Sequence, residues 1–128
     1  MSRFSPFRSG VQPVASSRVG LLASLFVGHM LFSVVSNAAF KLSADSRGWR
    51  GLLLWQVMGN LSGFITVLIL TALLRHVPLQ VAYPLTQGLA AVGVQVFAAW
   101  LFFRQAITPM QWLGTLLIVA GILCIGTR

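Results

Sequence analysis

Polar side chains set at helical spacing inside strongly apolar runs are where this chain could do chemistry. In VGLLASLFVGHMLFSVVSNAAF, His29, Ser33 and Asn37 recur at every fourth position; Lys41 continues the series and Ser36 lies alongside. On a helix they form one stripe, and within a membrane span such a stripe faces the bundle interior. In the stretch from Val77 to Phe103, Tyr83, Gln87 and Gln95 fall at steps of four and eight, with Ala91 between them. Together the two stripes predict a cavity rich in hydroxyl and amide groups and poor in charge. Such groups suit sugar hydroxyls or lipid headgroups; they also serve as glue between helices. Pro84, inside the same stretch, removes a backbone donor and pushes residue 83 away from helical geometry. A kink or opened turn is expected there, lining something polar.

The chain carries nine Lys plus Arg against one acid, Asp45, which lies in the joint KLSADSRGWRG. No span contains a carboxylate, whereas exchange of organic cations for protons needs an anionic group in the membrane. Catalysis has no support either. There is no His/Cys metal cluster, acid pair, phosphate-cradling glycine loop, or serine with a base and an orienting acid. No catalytic residue, metal or cofactor is therefore expected. His29 reads most simply as a neutral histidine bonded to a neighbouring helix, and the lone Cys124 excludes an intrachain disulfide.

Lipid must supply much of the surroundings of this chain. At 57% hydrophobic and 8% charged, its 128 residues are too apolar for an ordinary soluble domain. Four runs reach spanning length: Val19 to Phe40, Gly51 to Leu74, Leu79 to Phe103 and Ile107 to Gly126. The fold expected is all-α, four transmembrane helices in a hairpin bundle over residues 19–128, after a disordered basic tail over residues 1–18. The basic residues sit at span ends, as headgroup anchors do, which argues against a nucleic-acid partner. They divide five to four between the two sides, so orientation is weakly specified. Gly59 and Gly63 have the GxxxG spacing of closely packed helices. Thr108 and Pro109 form a cap and first-turn pair for the last span. There, Gly114 and Gly121 lie seven apart on one face, which reads as a packing face and a dimer contact.

The stretch VPLQVAYPLTQG and the downstream FFRQAITPMQWLGTLLIVAGILCIG resemble the four-helix members of the drug/metabolite transporter superfamily, over residues 20 to 127. Small multidrug-resistance transporters share PxxxAY, here Pro78 to Tyr83, and the paired glycines that help form their antiparallel dimer. Their first-helix glutamate is replaced by Ser33, and Thr86 stands where they carry a tryptophan. Small flippase subunits for polyprenyl-phosphate-linked sugars, of the aminoarabinose type, are more similar: they have VPxxxAYP, matched by Val77, Pro78, Ala82, Tyr83 and Pro84, and lack that glutamate. This resemblance implies a transporter subunit of the bacterial inner membrane that moves a lipid-linked sugar phosphate. It implies a homodimer, or a heterodimer with a second small subunit. Ser33, Asn37, Tyr83 and Gln87 would then meet the sugar. Lys41, with Arg75 or Arg104, would neutralise the phosphate. Two alternatives stand beside it: export of a small polar or cationic metabolite, with an acid supplied by a partner, and a non-transporting accessory subunit of a larger membrane complex.

Overall fold

The computed structural model describes the backbone of residues 11–127 and the side chains from residue 17 onward. Its described elements are helices: α1 (Val11–Asp45), α2 (Trp49–Leu74), α3 (Leu79–Gly93), a π-helical segment (Val94–Phe102) that continues α3, and α4 (Pro109–Gly126). Four helical stretches are long and apolar enough to cross a membrane: Ser17–Asp45, Trp49–Leu74, Leu79–Phe102 and Pro109–Gly126. The four-span, all-α expectation therefore holds. Residues 1–10 of the expected basic tail lie outside the described residues, and α1 starts at Val11, inside the stretch read as tail. Pro13 falls in the first turn of α1, where its missing N–H costs nothing because that turn's donors have no helical partner. At 35 residues, about 52 Å of helix, α1 is longer than a bilayer core is thick.

Short joints make neighbours of successive helices. Gly48, extended at φ −126° and ψ 155°, caps α2 three residues after α1 ends. After α2, the N–H groups of His76 and Val77 both donate to the Leu73 carbonyl at 2.9 Å. Pro78, at ψ 148°, then restarts the chain as α3. Thr108 and Gln111 form a reciprocal capping box on α4, with Pro109 in its first turn. α1 packs along α2; α3 lies against α1, α2 and α4; and α4 packs its backbone against α3, with side chains of the π segment reaching its first turn.

The interior is small and hydroxylic rather than bulky and apolar. Buried apolar residues are Ala39, Leu73, Ala82, Ala90 and Ala98, and buried polar ones include His29, Ser33, Ser36, Ser43, Ser62, Thr86 and Thr115. Large apolar side chains such as Phe64, Trp100 and Leu116 face outward. Lipid is as apolar as leucine, so close backbone approach and hydrogen bonds must hold the helices together. Ser36 Oγ donates to the Gly59 carbonyl and Ser43 Oγ to the Leu52 carbonyl, each at 2.8 Å, tying α1 to α2. A Cβ built on Gly59 would meet the Phe40 ring at 2.5 Å, and one on Gly63 would meet Ser36 Oγ at 3.3 Å. The GxxxG pair is thus a seam within the chain. Gly93 and Gly88 do the same elsewhere: a Cβ would meet Met30 at 2.8 Å across to α1, or Ile122 at 2.7 Å across to α4.

Pro84 sits in regular helix. α3 runs unbroken across it, and the departure from α geometry begins ten residues later, at Val94. Thr86 Oγ1 spans the proline's turn, donating to the carbonyls of Ala82 at 2.9 Å and Tyr83 at 3.0 Å. The π segment closes with Phe103 N–H on the Ala98 carbonyl, five residues back, and Gln105 N–H on the Ala99 carbonyl. Between those two donors Arg104 adopts φ 50°, a left-handed helix stop that usually falls to glycine.

Candidate functional site: an amide-lined cleft

Where the last third of α1, the third span and the start of α4 converge, a cleft of about 490 Å³ opens. Five amide side chains reach its wall: Asn37 from α1, Gln87 from α3, Gln95 from the π segment, Gln105 from the following loop and Gln111 from α4. Small residues, Ala90, Ala91, Ala99 and Ala106, make the space between them. No ionisable side chain lines it.

The amides differ in how far they are committed. Asn37 Nδ2 donates to the Ser33 carbonyl at 2.8 Å, which leaves its oxygen to the cleft. Gln95 Nε2 reaches the Gln111 carbonyl at 3.3 Å and ties the π segment to α4. Gln111 Oε1 accepts from the Thr108 N–H at 2.8 Å, so its NH₂ is what remains. Gln87 and Gln105 make no side-chain hydrogen bond to other described residues. Each offers a full donor and acceptor set to a ligand.

The structure brings Asn37 and Gln87 together and leaves the other three expected binding residues outside the lining. Ser33 is buried one turn from His29, with Oγ 3.5 Å from Nδ1. Lys41 Nζ pairs with Asp45 Oδ1 at 2.8 Å, on the exposed side of the last turns of α1. Tyr83 is 53% exposed and does not line the cleft. Gln105 and Gln111 are contributions the sequence did not announce. They flank a turn, outside the apolar periodicity, and only the fold carries them to the amides of α1 and α3. α4, read from sequence as a packing face alone, therefore lends its first turn to the cleft wall. Nothing lies within 4 Å of a Cβ built on Gly114 or Gly121, so that face of α4 is open.

The cleft thus presents uncharged donors and acceptors between helices long enough to span a membrane, and comparison with known proteins supplies the family. A family model described as the EamA-like transporter family matches residues 7–127, nearly the whole chain. The chain belongs to the EamA-like transporter family. Among its relatives, the spermidine export protein MdtI of Yersinia pestis (strain Pestoides F) is 32% identical over 106 residues, covering 81% of this chain and 90% of that protein. The protein of the same name from Yersinia pseudotuberculosis serotype O:1b (strain IP 31758) gives the same figures. That from Yersinia enterocolitica serotype O:8 is 30% identical over 98 residues, covering 75% and 84%. No solved structure matches the chain. This EamA-like chain is thus a multi-pass protein of the bacterial inner membrane and a subunit of a small exporter family, with a transport role rather than an enzymatic one.

Proposed function

We propose that this protein is one subunit of a small exporter of polar or cationic metabolites and that a second subunit completes its site. The observation that carries this reading is the placement of charge. Asp45 is the chain's one acid, and it lies at a helix end, exposed and paired with Lys41, away from the cleft. The cleft can hold a polar solute through amides but cannot neutralise a polyamine such as the spermidine named for its relatives. Moving a cation through hydrocarbon requires an anionic counter-group, which a partner must bring. Asn37, Gln87 and Gln111 are exposed on this chain at membrane depth or close to it. An unpaired amide facing lipid is costly, so the same partner would also close the cleft. The open α4 face with Gly114 and Gly121 suits that contact.

The uncharged lining supports one other reading, a lipid-linked sugar whose hydroxyls meet the amides. Spermidine efflux from vesicles distinguishes them. The chain alone should export no spermidine, and adding a small subunit that bears a membrane carboxylate should start efflux that D45N leaves intact. Efflux by the chain alone, abolished by D45N, would overturn the two-subunit reading. Headgroup translocation of a polyprenyl-phosphate sugar, without spermidine efflux in any combination, would favour the sugar reading.

A further inference from the structure

On the side of α1 away from the amide cleft, a second concavity of about 350 Å³ is lined almost wholly by carbon. Ala38 and Leu42 of α1 lie between Trp55 and Met58 of α2 on one wall and Phe97 and Phe102 of the π segment on the other. α2 does not reach the π segment, so the trench stays open along its length. Its residues come from the end of α1, the beginning of α2 and the end of the third span, and it therefore runs toward one membrane surface.

That surface is where the chain is most one-sidedly basic among the described residues. Lys41 and Asp45 cancel as an ion pair, which leaves Arg47, Arg50 and Arg104 with no carboxylate to pair with. All three are exposed. Arg104 follows the lining residue Phe102 by two positions, and Arg50 precedes Trp55 by five, about 8 Å of helix. An apolar trench whose walls are built from the same helix ends that carry three exposed, unpaired arginines matches one kind of molecule: a hydrocarbon chain joined to a phosphate. We infer that this trench seats an acyl chain of an anionic diacyl phospholipid, with its phosphate held by Arg47, Arg50 and Arg104. Guanidinium groups bind phosphate oxygens in a bidentate fork, and basic residues at the headgroup level select anionic over neutral lipid. A second copy of the chain is the weaker fit, because three like charges would meet its own basic span ends. The π segment turns Gln95 and Ala99 to the amide cleft and Phe97 and Phe102 to the trench, so lipid and solute occupy opposite faces of one irregular helix.

The test uses the full chain with W49F, W100F and W112F, which leaves Trp55 as its one indole, in vesicles of equal phosphatidylglycerol and phosphatidylcholine brominated on one lipid or the other. Bromine on phosphatidylglycerol should quench Trp55 as though that lipid were enriched beside it about fivefold or more. R47Q/R50Q/R104Q should reduce that enrichment to unity. Equal quenching by both lipids would mean an unselective lipid annulus, and no quenching by either would mean a protein occupant; each overturns the inference. If the three-tryptophan variant does not insert, native mass spectrometry of the unsubstituted chain from the same mixture decides between these outcomes. Retained phosphatidylglycerol that the arginine variant loses supports the site. Retention of both lipids alike, or of neither, rejects it.

Discussion

At the scale of single residues, position in the packing decides what a glycine or an amide does. Gly59 and Gly114 are both helical glycines, yet a Cβ on the first would strike the Phe40 ring and one on the second would meet nothing. G59A should lower unfolding stability in detergent by about 1–3 kcal/mol, the cost of overpacking. F40L should restore part of it in the double variant, a coupling that thermal melts of all four proteins measure. G114A should leave the isolated chain unchanged or stabilise it, by up to about 1 kcal/mol of helix propensity. Among the amides, Gln87 makes no internal side-chain bond whereas Asn37 is tied to Ser33. Q87L should therefore abolish most transport while insertion and melting temperature hold. S33A should do much less, since that hydroxyl is buried against His29 outside the cleft. The stripe on α1 was legible from its spacing. Which members line a cleft and which fill the interior was not, because residues on one helical stripe still differ by tens of degrees about the axis.

At the scale of elements, helix ends were the most readable feature and the π segment the least. Thr108 and Pro109 carry their capping in their types and order, and the structure completes the box with Gln111. T108A should cost about 1 kcal/mol and fray the first turn of α4, seen as faster amide exchange at Gln111 and Trp112. Nothing in VQVFAAWLF marks a π-helix. Its wider turn is sustained from outside, by Gln95 on the Gln111 carbonyl and by Trp100 stacked edge-on against Trp112 at 6.1 Å. Arg104 holds a left-handed φ at the end of that segment at a cost of about 1–2 kcal/mol. R104G should raise the melting temperature in neutral detergent, and a drop would mean that the guanidinium makes a stabilising contact there. No turn opens at Pro84: α3 stays α-helical across it, and the departure into π geometry comes ten residues on, at Val94.

At the scale of the whole molecule, α4 stands at the edge of the fold with most of its surface uncovered. Its one cysteine, Cys124, is exposed and lies one turn after Gly121. If α4 forms the contact with the carboxylate-bearing subunit, a cysteine placed on that subunit's facing helix should be linked to Cys124 by mild oxidation in the membrane. G121L should reduce that product severalfold, and an oxidation product unaffected by G121L would place the contact elsewhere. Loss of the pair should also expose the amide cleft to lipid, so G121L should lower transport without changing the fold of the single chain.

Composition and periodicity by themselves determined the membrane class, the four helices and the bounds of the last three spans to within two residues, because spanning length and hydrophobicity are properties of contiguous residues; α1 overruns its apolar stretch at both ends. They also determined that no span holds a carboxylate, and with it the need for outside charge in any cation exporter of this build. The tertiary structure alone decided that Gln105 and Gln111 join Asn37, Gln87 and Gln95 around one cleft, and that Lys41, Ser33 and Tyr83 stay out of it. It alone formed the apolar trench between α1, α2 and the π segment. Those arrangements depend on which helix faces meet across the bundle. In lipid that choice is made by close contacts such as Gly59 on Phe40 and Gly93 on Met30, between residues far apart in the chain.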